Sequence, residues 1–348
     1  MSLASPTLET SGLVPNGGVC LPGEAERALS PLFSEGWLEF SREYWGVRPE
    51  KIKFALDRGD RPGVEAILLL NGKGKIVCPR TMPYLPISYR PEPGATKYAQ
   101  HRDSLKVMGK LADEMCRRGI GQALSFSPEI SDVRPWQWGG LVAEVRYTFC
   151  YDFPFDPNLI YHSTRRNIKA TKKKGFTCHR VEKTEHVFQC LAQAQERQGF
   201  NYQISAEALR RIQALMGPEA CRAYVGYSPA GEPVATLIAL FAPGARALFW
   251  LAGMGRTDCA HYGFNEVLYE FTLQDLCGAG ATGVDFVGAN IPRVATAKAR
   301  WGGHLVPFYT VEPRIRNLLR HGREFLRAFV AIGADKRNRL SSGVPRDF

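Results

Sequence analysis

Two cationic stretches and one aromatic cluster stand out as residues able to act on a substrate. Residues 163–175 read Ser-Thr-Arg-Arg-Asn-Ile-Lys-Ala-Thr-Lys-Lys-Lys-Gly, with cations at Arg165, Arg166, Lys169, Lys172, Lys173 and Lys174. Near the carboxyl end Arg316, Arg320, Arg323 and Arg327 recur at helical spacing. Regularly spaced cations neutralise phosphates, and the resulting affinity falls as salt rises; the same run also serves as a solvated helix face. The third group is Asp132-Val-Arg134-Pro-Trp136-Gln-Trp138-Gly-Gly140. It sets a guanidinium and two indoles beside a glycine turn, a set suited to clamping a polar substrate. Core anchoring of the indoles is the competing reading.

Other chemistries find no support. The nine cysteines include no CxxC pair and the seven histidines no HxxxH or HxH array, so no metal site is expected. No well-placed Ser-His-Asp or Cys-His arrangement is visible, so covalent catalysis through an activated nucleophile is disfavoured. Lys and Arg total 45 against 34 Asp and Glu, a formal charge of +11. That balance favours polyanionic partners: RNA, nucleotide diphosphates, phosphorylated carriers or an anionic membrane surface. No apolar run approaches the ~18–20 residues a membrane helix needs, and residues 1–29 read as a loose arm without a basic, apolar leader. A soluble, cytoplasmic protein with reduced thiols is the expectation.

The elements that must position these groups follow a repeated order. In the first half, a helical pattern over 35–45 precedes strands at 51–57 and 63–71, an irregular Pro-rich connection over 78–93, a helix over 103–118, and strands at 122–127 and 141–153. The basic helix over 163–174 opens the second half, with a Ser or Thr cap at its start and Gly175 at its end. Helices over 186–198 and 205–216, strands at 221–228, 234–242 and 245–252, a helix over 264–277, a strand at 283–287, a short helix over 292–301 and a strand at 304–311 complete it. A closing helix over 313–332 is expected to bury Ile315, Leu318, Leu319, Leu326, Phe329 and Val330. The duplicated order predicts an α/β (α+β) chain of two tandem domains, each a mixed central sheet flanked by helices. The divisions fall at 1–29 (arm), 30–158 (first domain, acceptor side), 159–312 (second domain, donor side) and 313–348 (basic helix and tail).

One segment carries a more specific resemblance. Asp285-Phe-Val-Gly288-Ala-Asn290, then Ala297-Lys298-Ala-Arg-Trp301-Gly302-Gly303, then Leu305-Val-Pro-Phe-Tyr309 is similar to the closing signature of FemABX-like and related tandem GNAT acyltransferases. Arg165-x-x-Ile168-x-Ala170, closing at Gly175, resembles that family's inter-domain pattern with the Ala displaced. The resemblance runs from about Phe33 to Val311. It implies the GNAT fold in both halves and an acyl- or aminoacyl-transferase acting on an amine, with no tightly bound cofactor. The implied catalytic pair is Lys298, beside a tetrahedral oxyanion, and Asp285, which orients the acceptor amine or pairs with Arg293 or Lys298. The expected substrate-binding residues are Arg134, Trp136, Trp138, Arg165, Arg166, Asn265, Arg293 and Tyr309.

The donor is the open choice. A CoA-dependent GNAT places a Gln/Arg-x-x-Gly-x-Gly/Ala loop before the helix that starts at Phe264, where backbone N–H groups cradle pyrophosphate. This chain has Gly253-Met-Gly255-Arg256 followed by Thr-Asp-Cys-Ala-His-Tyr-Gly263 instead. The departure shifts the expected co-substrate from acyl-CoA to aminoacyl-tRNA, met by Lys169, Lys172, Lys173, Arg316, Arg320, Arg323 and Arg327. The expected acceptor is then a peptidoglycan precursor or a small natural-product amine. An acyl-CoA-dependent N-acyltransferase acting on an amino sugar or amino acid is the alternative, and a non-catalytic RNA- or partner-binding module the third reading.

Overall fold

The computed structural model describes residues 28–56, 62–198, 204–255 and 263–322. The Ser34 hydroxyl accepts the Trp37 N–H at the start of α1 (Glu35–Trp45), and Gly46, at φ 62°, ends the helix in the left-handed region. β1 (Arg48–Ala55), β2 (Pro62–Leu70) and β3 (Ile87–Tyr89) then form an antiparallel sheet. α2 (Lys97–Arg118) presses Val107, Met108, Leu111, Ala112 and Met115 into the core. It begins earlier than its apolar spacing predicts because Thr96 caps it, accepting the Ala99 N–H. β4 (Leu124–Ser125), the short α3 (Arg134–Trp138) and the long β5 (Leu141–Asp152) follow.

The second half runs α4 (His162–Lys173), β6 (Thr177–Val181), α5 (Glu185–Gln198), α6 (Ala206–Met216), β7 (Cys221–Tyr227), β8 (Pro233–Leu240), β9 (Arg246–Met254), α7 (Phe264–Gly278), β10 (Gly283–Asp285), α8 (Pro292–Ala299) and β11 (His304–Pro313). Residues 314–322 continue as helix. The cap expected for α4 is corrected: Tyr161 occupies the cap position without a side-chain bond, and Ser163 lies inside the helix.

The large sheet is ordered β4-β11-β5-β10-β9-β8-β7-β6. β5, which closes the first half in sequence, lies between β10 and β11 in space. It pairs antiparallel with β11 from Leu141 opposite Pro313 to Cys150 opposite His304. Parallel bridges Ile76–Ile120 and Leu85–Phe126 carry the first sheet toward β4. The apolar core follows this strand exchange: one cluster runs from Leu32 and Trp37 through Trp250 to Val311, so it draws on both halves. Trp250 on β9 meets Trp37 of α1 edge-on and donates its indole N–H to the Thr81 carbonyl at 2.6 Å.

The last helical turns differ from expectation. Ile315, Leu318 and Leu319 are 67%, 69% and 59% exposed rather than buried. Their opposite face is the one docked: Asn317 and Arg320 donate to Glu144 of β5 and Glu312 of β11. The helical period identifies an apolar face, and tertiary packing here covers the polar one. Leu326, Phe329 and Val330 lie outside the described residues.

Candidate active site

β9 and β10 run parallel and pair only from Arg246–Gly283 to Leu248–Asp285. Beyond Asp285 the chain turns along β5 instead, so the two strands part at that residue. In α/β sheets, ligands bind at the carboxyl ends of strands where neighbours diverge. Phe286 N–H donates to Phe149 O and Ala289 N–H to Tyr147 O. Asn290 accepts the Tyr147 N–H at 2.9 Å and donates back to the Tyr147 carbonyl. The turn is thus pinned to a strand contributed by the first half.

Asp285 is 1% exposed, and three donors converge on it. Thr148 Oγ1 donates at 2.6 Å, the Val287 N–H at 2.7 Å and the Tyr84 hydroxyl at 2.9 Å. Burial pushes its carboxyl above the ordinary carboxylate range, while these donors and the Lys298 charge pull the other way. Tyr84 and Thr148 both come from the first half, and sequence reasoning misses both. Tyr84 sits in the Pro-rich connection and Thr148 in a strand interior, and no local pattern marks either as a partner of a residue so distant in sequence.

Lys298, on α8, points inward. Its Nζ donates to the carbonyls of Phe286 at 2.5 Å, Val287 at 3.0 Å and Gly288 at 2.5 Å. Three protons meet three acceptors, so the ammonium is a keystone of the turn. To bond an oxyanion directly it must exchange one carbonyl. Burial pushes its pKa down to about 8, with the Asp285 charge opposing. The turn bends tightly around it: Val287 has φ 48°, a region that β-branched residues avoid. Cys150, opposite Asp285 in register, is buried, and burial pushes its thiol well above the ordinary range, unfavourable for a thiolate nucleophile.

The motif around Lys298 has a structural cause at each position. Trp301 is buried and stacks on Tyr269 at 5.5 Å, anchoring the end of α8. Gly302 has φ 77°, and a Cβ there would strike the Leu159 backbone; at Gly303 it would lie 2.5 Å from the Cys150 carbonyl oxygen.

A second group surrounds an open cavity of about 540 Å³ lined by Pro157, Arg165, Ile168, Lys169, Lys172, Lys173 and Glu270. α4 buries Thr164, Ile168 and Thr171, which leaves these cations on its outer side with Ile168 at the cavity floor. Lys172 pairs with Glu270 of α7 at 2.5 Å. Arg166 is exposed on the same helix. Asn265, half-buried, lies in the first turn of α7, where α4 approaches closely: a Cβ at Gly263 would lie 2.8 Å from the Asn167 Cβ.

The remaining expected binding residues are scattered. Arg134 pairs with Asp132 at 2.7 Å and lies 5.7 Å from the centre of the Trp138 ring, which is 68% exposed. Trp136 is corrected: it is fully buried, packs on Phe126 at 4.6 Å and points its N–H at the Met115 sulfur, so it cannot stack on a ligand. Trp136→Ala is expected to cost about 3–5 kcal/mol of stability and Trp138→Ala within about 0.5 kcal/mol, read by urea denaturation. Arg293 is exposed on α8, and Tyr309 is half-buried against the core. In the arginine stripe Arg316 is exposed, whereas Arg320 is committed to Glu144 and Glu312, which removes it from a phosphate-facing row. Arg323 and Arg327 lie outside the described residues.

The acetyltransferase (GNAT) domain family matches residues 162–292, which hold both α4 and the turn at Asp285. No curated protein sequence matches the chain. Among solved structures, FemX superposes with a TM-score of 0.58 at 12% identity, covering 80% of this chain and 91% of that one. A conserved protein of unknown function from Bacteroides thetaiotaomicron gives 0.53 at 11% identity, covering 82% and 92%. Residues 162–292 therefore carry a match to the acetyltransferase (GNAT) domain, and the chain shares the fold of FemX. Its architecture is FemABX-like, spanning nearly the whole of the FemX fold.

Proposed function

We propose that the chain forms an amide bond by moving an aminoacyl group from aminoacyl-tRNA to an amine acceptor, a peptidoglycan precursor or a small natural-product amine. The observation that carries the donor choice is the setting of α7. Its amino end is approached by Asn167 and Thr171 of α4 and bears Glu266 in its first turn, a poor place for pyrophosphate. The adjacent open cavity is instead lined by four cations of α4. Such a surface suits a polyanion tracked along its backbone.

In the reaction, the acceptor nitrogen attacks the aminoacyl carbonyl carbon where β9 and β10 part. The oxyanion forms, the carbon–oxygen bond to the tRNA ribose breaks, and the proton lost by the nitrogen passes to the ribose oxygen. Asp285 and the Lys298-bound turn lie at that point. The positive potential of Lys298 favours the developing oxyanion, and Asp285 holds the turn in place.

The deciding experiment incubates the protein with labelled aminoacyl-tRNA pools and, separately, with labelled acyl-CoAs, each with and without a bacterial metabolite extract. Extract-dependent loss of label from tRNA supports the reading; loss from acyl-CoA alone overturns it, and loss from neither points to a binding module. Lys169→Glu/Lys173→Glu is expected to weaken tRNA binding about tenfold or more near physiological salt. The slope of log affinity against log salt should fall by about 2, because each of the two lysines neutralises one phosphate in the parent. Filter binding across a salt series measures both.

A further inference from the structure

The helix at 314–322 is mounted with its apolar face outward. Asn317, Arg320 and His321 hold it to the sheet: His321 Nε2 lies 3.0 Å from Glu144 Oε1, and Asn317 Nδ2 lies 2.9 Å from Glu144 Oε1 and 3.1 Å from Glu312 Oε1. Burial pushes the Glu144 carboxyl up, but Arg320 and His321 hold it below its ordinary value, so the carboxylate stays charged. A docked polar face leaves Ile315, Leu318 and Leu319 in solvent, spaced three and one residues apart so that they share a face. The sequence repeats the spacing at Leu326, Phe329 and Val330. Arg314 and Arg316, both exposed, flank this face.

An apolar stripe bordered by cations, on a chain with net charge +11, has the chemistry of an interfacial helix. The leucines enter the acyl boundary while the arginines reach lipid phosphates. Among the described residues no helix is long and apolar enough to cross a membrane, so this mode of attachment is peripheral. RNA fits less well, because it offers no apolar surface to cover the three aliphatic side chains.

We infer that residues 314–322 dock the protein onto an anionic lipid surface. The inference stands independently of the aminoacyl donor. In the test, the full chain is floated with vesicles of equimolar phosphatidylglycerol and phosphatidylcholine, and with phosphatidylcholine alone. Selective flotation with the anionic vesicles is expected. It should drop about tenfold or more in Leu318→Glu/Leu319→Glu, and Arg316→Glu should reduce both the anionic preference and its salt sensitivity. Because these side chains are exposed, circular dichroism and thermal midpoint should match the parent. Three results overturn the inference: no flotation of the parent, equal flotation of the leucine variant, or a parent dimer by light scattering that Leu318→Glu converts to monomer without any vesicle binding.

Discussion

Lys298→Met is expected to lower transfer by about 10²–10³-fold, the loss seen when a charge-stabilising donor is removed from an acyl-transfer site. Methionine matches the lysine stem in length and keeps its packing, so the change isolates the ammonium. Its three hydrogen bonds to Phe286, Val287 and Gly288 are the closure of the turn. Without them three carbonyls lose their donor and buried Asp285 loses a compensating charge, which should cost about 3 kcal/mol or more of stability. Lys298→Arg is not expected to rescue, because a planar fork cannot reproduce three converging bonds from one nitrogen. The effect should fall on kcat with KM little changed, since the lysine faces the turn.

The same lysine sets a pH signature with two opposite signs. Its folded pKa is about 8, against about 10.4 for an exposed lysine. Between those values the unfolded chain binds more protons, so the contribution of this group to folding stability rises with pH across that window. The turn, however, needs the charged form with all three donors, so transfer should decline as pH rises through about 8. A rate falling while the thermal midpoint holds or climbs is the expected pattern, and Lys298→Met should abolish that alkaline limb in its residual activity.

Legibility of this site in the sequence divides along physical lines. Lys298, Trp301, Gly302 and Gly303 fall within six residues of one another, so they are readable as one motif through resemblance, although the segments that Trp301, Gly302 and Gly303 meet (Tyr269, Leu159 and Cys150) are distant in the chain. Tyr84 and Thr148 reach Asp285 only because β5 crosses into the second sheet, and no local periodicity encodes that exchange. Trp136 and Trp138 look like one aromatic pair beside a glycine turn. Two residues apart on a short helix they point to opposite sides, one into the core and one into solvent. The element order is legible in the apolar spacing because most elements are long. β3 lies inside the Pro-rich connection, and β6 and α3 span five residues each with mostly polar or irregular patterns, so no period registers there, whereas the similarly short β4 and β10 are marked by the apolar residues around them. Amphipathicity of the final helix is visible in the chain, but its orientation depends on Glu144 and Glu312, carboxylates on strands that pair with each other far from it in the case of Glu144.

Asp285 offers the sharpest separation of charge from scaffold. Asp285→Ala leaves the Tyr84 hydroxyl, the Thr148 hydroxyl and the Val287 N–H without their acceptor in a buried setting, and should cost about 3–5 kcal/mol while loosening the tie between the two halves. Asp285→Asn is gentler. Its remaining oxygen can still accept from Thr148 and Val287, and the Tyr84 hydroxyl can rotate to accept from the new amide, so about 1 kcal/mol is expected. What the amide removes is the negative charge that holds the Lys298 pKa up. The alkaline limb of transfer in Asp285→Asn should therefore move to lower pH than the parent's. Tyr84→Phe, which keeps the charge and removes one donor, should leave the limb in place at a similar cost in stability. If Asp285→Asn leaves the limb near 8, the carboxylate serves only as an anchor for its three donors, and the lysine's pKa is set by burial alone.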